Sequence, residues 1–142
     1  MKQLLTIFMT LSSLFIYGQN QSDTELDKFI KSEGDYISLI DTGNLNDTIK
    51  NCIPAIENYL KESNEKLENY YTDVSFLRVE NGSVFIPLWH IDGFKKLMDL
   101  RKEDDKRNDG GRTLITGNVS GKDGNIEVDL NTLKFKEFLY WQ

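Results

Sequence analysis

Thiol and imidazole are nearly absent from this chain of 142 residues, which holds one cysteine, Cys52, and one histidine, His90. A lone thiol cannot cross-link its own chain, and one Cys with one His leaves a typical zinc site short of ligands. The glycine-rich phosphate loops, the Ser-centred nucleophile elbow and the Cys-X-X-Cys redox pair are missing too. Basic residues are outnumbered, 17 Lys and Arg against 23 Asp and Glu. A nucleic acid or an anionic membrane surface selects for basic stripes, so neither is an expected partner.

What is present begins at the N-terminus. Lys2 is followed by an apolar stretch from Leu4 to Tyr17 and a small residue, Gly18. That order predicts a signal peptide over residues 1–18, with a retained anchor as the alternative. The stretch falls short of the ~20 residues a membrane-spanning helix needs. Export to the periplasm or medium follows, with no stable membrane insertion once the signal is cleaved. The remaining 124 residues carry 16 basic and 23 acidic side chains, a net charge of −7. They suit a single domain over 25–142 behind a flexible lead at 19–24.

Periodicity sketches the domain. Leu26, Phe29 and Ile30 share a helical face that Asp23 or Thr24 can cap. Tyr36 to Ile40 suits a second helical stretch or a short strand. Asn46 or Asp47 can cap a helix with Ile49, Cys52, Ile53, Ile56 and Leu60 on one face, continued by Leu67 and Tyr70 or Tyr71. Pro54 must then start that helix or kink it. Asn81-Gly82, between two β-prone runs, predicts a type I′ hairpin, and Pro87 suggests that its second strand is an edge or is ending. Asp92 is the expected cap of a short helix bearing Phe94, Leu97 and Met98. The eleven residues 101–111 contain no apolar member and read as a mobile charged loop. Strands are expected at Arg112–Val119, Asn125–Leu130 and Leu133–Trp141. The fold class is therefore α+β: N-terminal helices, a β-hairpin, a short helix and a three-stranded meander, with a mostly antiparallel sheet packed on helices.

Three patterns invite chemistry. Leu39 to Gly43, Leu-Ile-Asp-Thr-Gly, resembles the catalytic loop of retroviral-type aspartic proteases, which implies a carboxylate role for Asp41. That family needs strands around the triplet, whereas a long helical pattern follows here. A polar turn ended by Gly43 in the left-handed conformation is the favoured reading. Cys52 before a later His90 is similar to the order in papain-like and cell-wall peptidases, but Cys52 falls on the apolar face of its helix, where a buried hydrophobe belongs. Asp123, Asn125, Glu127 and Asp129 alternate as calcium ligands can, and equally as the outer face of a strand does.

The reading that follows is a non-catalytic binding module: an inhibitor, an immunity-type protein or a ligand-binding protein, with no cofactor or metal implied. Its partner is another protein or a small ligand, contacted through Trp89, His90, Asp92, Tyr140 and Trp141. An acidic surface favours encounter with a basic partner, and Trp and Tyr dominate interface energetics. The alternative is a small envelope hydrolase acting through Asp41 or through Cys52 and His90.

Overall fold

The computed structural model describes residues 25–113 and 117–142. The expected signal peptide, the lead at 19–24, the first helix's caps and the core of the expected strand at 112–119 lie outside the described residues. Two compact units divide the chain, Met1–Glu33 and Gly34–Gln142. In the first, residues 25–33 form helix α1, which carries Leu26, Phe29 and Ile30 at the anticipated spacing. No described helix is long and apolar enough to cross a membrane.

The second unit is built on helix α2, Asp47–Glu62, and an antiparallel sheet. Asn46 caps α2 by accepting the Ile49 N–H at 2.9 Å. Pro54 lies inside the helix rather than at its start. It is exposed, as is Lys50 one turn before it, so the carbonyl that loses its donor can turn to water. Burial of Ile49, Cys52, Ala55, Ile56 and Leu60 along the other face offsets the ~3 kcal/mol such a proline costs. The helix does not run on to Leu67 and Tyr70 as the spacing predicted. Asn64 turns left-handed at φ 56°, its N–H bonds to Lys61 O and the Glu65 N–H to Leu60 O. These two bonds form a Schellman end, and they reverse the chain.

After a 3-10 turn, Leu67–Asn69, the chain enters the sheet. Its strands are β1 Ile37–Ser38, β2 Tyr70–Thr72, β3 Arg78–Glu80, β4 Ser83–His90, β5 Gly124–Asp129 and β6 Phe135–Tyr140. The order is β1-β2-β4-β5-β6, with β3 also on β4, and every described pairing is antiparallel. Asn81 and Gly82 supply the two positive φ angles, 52° and 76°, that the hairpin between β3 and β4 requires. This makes the sheet and its helices an α+β fold, as the sequence pattern implies.

Strand β4 is central, contrary to what Pro87 suggested. Strand β5 pairs along Ser83 to Leu88, while on the opposite side β3 covers Ser83 to Phe85 and β2 covers Trp89 and His90. Pro87 falls in the interval between β3 and β2. The His90 N–H turns toward the β5 side, where Asp123 accepts it, so with period two the donor that Pro87 lacks would have faced that empty interval. On one face of the sheet Val84, Ile86, Leu88, Ile126 and Val128 meet Ile49, Cys52, Ile56 and Leu60 of α2 to form the core.

Two expected features take another form. The short helix and charged loop are largely one element, α3, Ile91–Arg107. Its charges hold it: Asp104 accepts the N–H and hydroxyl of Thr113 and pairs with Arg101 and Arg107, leaving only the turn after left-handed Asn108 outside the helix. Of the expected three-stranded meander the described residues show the β5–β6 hairpin; 112–113 and 117–119 carry no strand, and 114–116 lie outside the described residues.

Gly124 allows β6 to close on β5. A Cβ there would sit 2.4 Å from the Leu139 carbonyl oxygen and 2.7 Å from the Phe138 ring. Gly124→Ala is expected to cost ~1–3 kcal/mol, read as a lower urea midpoint. In the opposite direction, Thr72 is fully buried and its hydroxyl has no partner among the described residues. Thr72→Val should raise stability by about 1 kcal/mol in the same measurement, since it removes an unsatisfied polar group at constant shape.

Candidate functional site

The segment Pro87-Leu88-Trp89-His90-Ile91-Asp92, where β4 passes into α3, organises the polar chemistry. His90 is 3% exposed and is the residue that caps α3. Its Nδ1 accepts the Asp92 N–H at 3.1 Å, so the ring proton lies on Nε2, which faces Glu65 Oε2 at 3.3 Å. Asp92, the expected cap, instead occupies the helix's first turn. Its short carboxylate cannot replace an imidazole already aimed at the free N–H.

The backbone of His90 is held as firmly. Its N–H donates to Asp123 Oδ1 at 2.7 Å. Asp123 Oδ2 accepts the Ser120 N–H at 3.1 Å, and the Asp123 N–H donates to Asn118 Oδ1 at 2.8 Å. These bonds lock the turn before β5 to the junction, and that turn carries Lys122. The Lys122 ammonium reaches Glu65 Oε1 at 2.8 Å and Asp92 Oδ2 at 3.6 Å, and these carboxylates hold its pKa above the usual lysine value.

Beside this network lies a recess of about 100 Å³ lined by Tyr59, Leu60, Ser63, Glu65, Tyr70, Lys122, Phe138 and Tyr140. Tyr70 is 3% exposed and meets His90 edge-on at 4.9 Å. Burial, then the Glu65 charge, raise its pKa. Tyr59 is pushed up to about 12, first by burial and then by its hydrogen bond to Tyr140. Phe138 lies 4.6 Å from Tyr140, ring to ring, and stacks on Tyr59 at 5.4 Å.

The five residues anticipated as one contact region are divided by the sheet. Trp89 and Trp141 meet at 5.0 Å, with Tyr36 and Phe76 against Trp89, on the face opposite α2. His90 and Tyr140 lie on the α2 face, and Asp92 joins them through Lys122. Neighbours in a strand point to opposite sides, so Trp89-His90 and Tyr140-Trp141 could not each point one way. Glu65, Lys122, Tyr59 and Tyr70 were not anticipated. Glu65 and Lys122 sit in polar stretches between elements, and neither has a local pattern that marks it.

The catalytic patterns find no support in the geometry. Asp41 is exposed; its N–H donates to Ser38 O, and its side chain accepts the Asn44 amide at 2.8 Å. Gly43 does not take a positive φ, because that turn closes through Asp41 and Asn44 without one. Cys52 is fully buried in the core, and burial raises its thiol pKa, the reverse of activation. Both His90 nitrogens face Asp92 and Glu65, not a thiol. In the alternating acidic run, Asp129 accepts the Asn131 and Thr132 N–H groups and Glu127 pairs with Lys136. Among the described residues no group of three or more His, Cys, Asp or Glu could hold a metal ion.

No family model, curated protein or solved structure matches the chain.

The Tyr59 environment has a readable consequence. Unfolded, its phenol ionises near 10; folded, it does so at about 12. The folded state holds that proton more tightly, so the stability it contributes is complete below the unfolded value and is lost as pH climbs from one to the other. Phenolate absorbance should show a delayed tyrosine titration that Tyr59→Phe removes, with alkaline unfolding in the same interval.

Proposed function

We propose that this protein is an exported, non-catalytic binding module and that the recess between α2, β6 and the Lys122 turn seats its ligand. The observation that carries the reading is the recess itself, where Tyr59, Tyr70, Phe138 and Tyr140 line one small space together with Ser63, Glu65 and Lys122. Apolar and aromatic walls with a few convergent polar groups are what a small-molecule site presents. The small size of the recess limits the ligand to a small molecule or the end of a side chain.

Export rests on the N-terminal pattern of Lys2, the apolar run and Gly18. The non-catalytic part rests on the state of the reactive groups, since the thiol is sealed in the core and the imidazole is committed to a helix cap.

Two-dimensional NMR with a panel of small charged and neutral compounds tests the site. Saturable shifts are expected at Tyr59, Tyr70, Tyr140 and Lys122. Tyr140→Ala, at a residue 58% exposed, should abolish them while the far-UV spectrum and cooperative unfolding show that the domain still folds. Shifts confined to the Trp89 and Trp141 face, or binding that survives Tyr140→Ala unchanged, would move the site elsewhere.

A further inference from the structure

We propose that the recess takes an organic ammonium group and that Lys122 is its resident competitor. The proposal rests on the binding reading above and names the class of ligand. Charge decides first. Among the described residues the carboxylates of Glu65 and Asp92 face one shared cation, Lys122, which both already engage. His90 contributes no charge while its Nδ1 accepts the Asp92 N–H. The cluster is therefore negative by one, and an incoming anion would find its only nearby ammonium occupied.

The walls favour the same sign. Tyr59, Tyr70, Phe138 and Tyr140 surround the recess, and aromatic faces attract cations, above all alkylated ammonium groups. The raised pKa of Tyr70, to which the Glu65 charge contributes, reports the same negative surroundings. Volume limits the size. A recess of about 100 Å³ holds on the order of three waters, which suits an ammonium head and excludes a nucleotide.

Lys122 shows how such a group is held, because its own ammonium stands 2.8 Å from Glu65. Its side chain is 42% exposed on a flexible stem. It can release Glu65, keep Asp92 and leave the inner position to another cation, whose N–H groups would donate to Glu65. Two sources share this chemistry: a free small amine and the lysine side chain of a partner.

The test titrates the protein with methylammonium, choline, a blocked lysine amide, acetate, and 3,3-dimethylbutanol as the uncharged isostere of choline, followed by NMR shifts of the recess tyrosines. Ammonium probes should saturate and the neutral isostere and acetate should not. A preference for choline or methylammonium assigns a free amine, and a preference for the lysine amide assigns a partner side chain. Lys122→Ala should tighten ammonium binding by about ten-fold or more, and Glu65→Gln should weaken it by about as much, the worth of one charge-assisted hydrogen bond. If Glu65→Gln fails to fold, Lys122→Ala decides alone. Loss of binding in Lys122→Ala, or equal binding of the neutral isostere, would overturn the ammonium assignment while leaving the recess as a site. If no probe of any charge shifts the tyrosines in either the natural protein or Lys122→Ala, the recess is not a ligand seat and both proposals fall.

Discussion

The arrangement of this domain turns on how completely His90 is used. Its backbone N–H holds the turn before β5 through Asp123, its Nδ1 caps α3, and its Nε2 faces Glu65 at the exit of α2. One residue thus ties together the central strand, two helices and the turn before the penultimate strand. A charged or rotated ring would release the Asp92 N–H, which the helix start cannot satisfy internally. The imidazole is structural for the same reason that the site beside it is well defined: Glu65, Lys122 and Tyr70 are all placed by contact with it or with its partners.

The core explains why the junction lies there. Strand β4 has neighbours on both sides along most of its length, so its alternate residues Val84, Ile86 and Leu88 are sealed against α2. Continuing that parity by one step puts His90 on the same buried face, where a polar ring must be hydrogen-bonded at both nitrogens. The next residue of the same parity is Asp92, already inside α3. The polar network is therefore the end of the core face, at the point where the strand stops and apolar packing can no longer fill the space under α2.

Much of this was legible in the residues. Asn81-Gly82 announced the hairpin because only two positive φ angles close a two-residue turn with the right twist. The face of α2 followed from Ile49, Cys52, Ile56 and Leu60, and the reading of Cys52 as a core residue came from that spacing. Other features were hidden for physical reasons. Pro87 looked like an edge residue because the sequence does not reveal that β3 and β2 meet end to end, leaving its missing donor without a counterpart. The stretch 101–107 looked like a loop because its helicity depends on Asp104 reaching Thr113, nine residues on. The end of α2 was missed because Asn64, not glycine, takes the left-handed position there.

The site was legible by residue but not by geometry. His90, Asp92 and Tyr140 do belong near one another, whereas Trp89 and Trp141 belong to the other face, and alternation alone was enough to separate them. What the sequence could not announce was Glu65 and Lys122, because their meeting is a product of turns. The Schellman end of α2 carries Glu65 back under the sheet, the bonds of Asp123 fix the turn that bears Lys122, and Gly124 lets β6 approach closely enough for Phe138 and Tyr140 to wall the space. Each turn satisfies its own backbone for local reasons. Together they leave an aromatic-walled recess in which the protein's own lysine is held against Glu65.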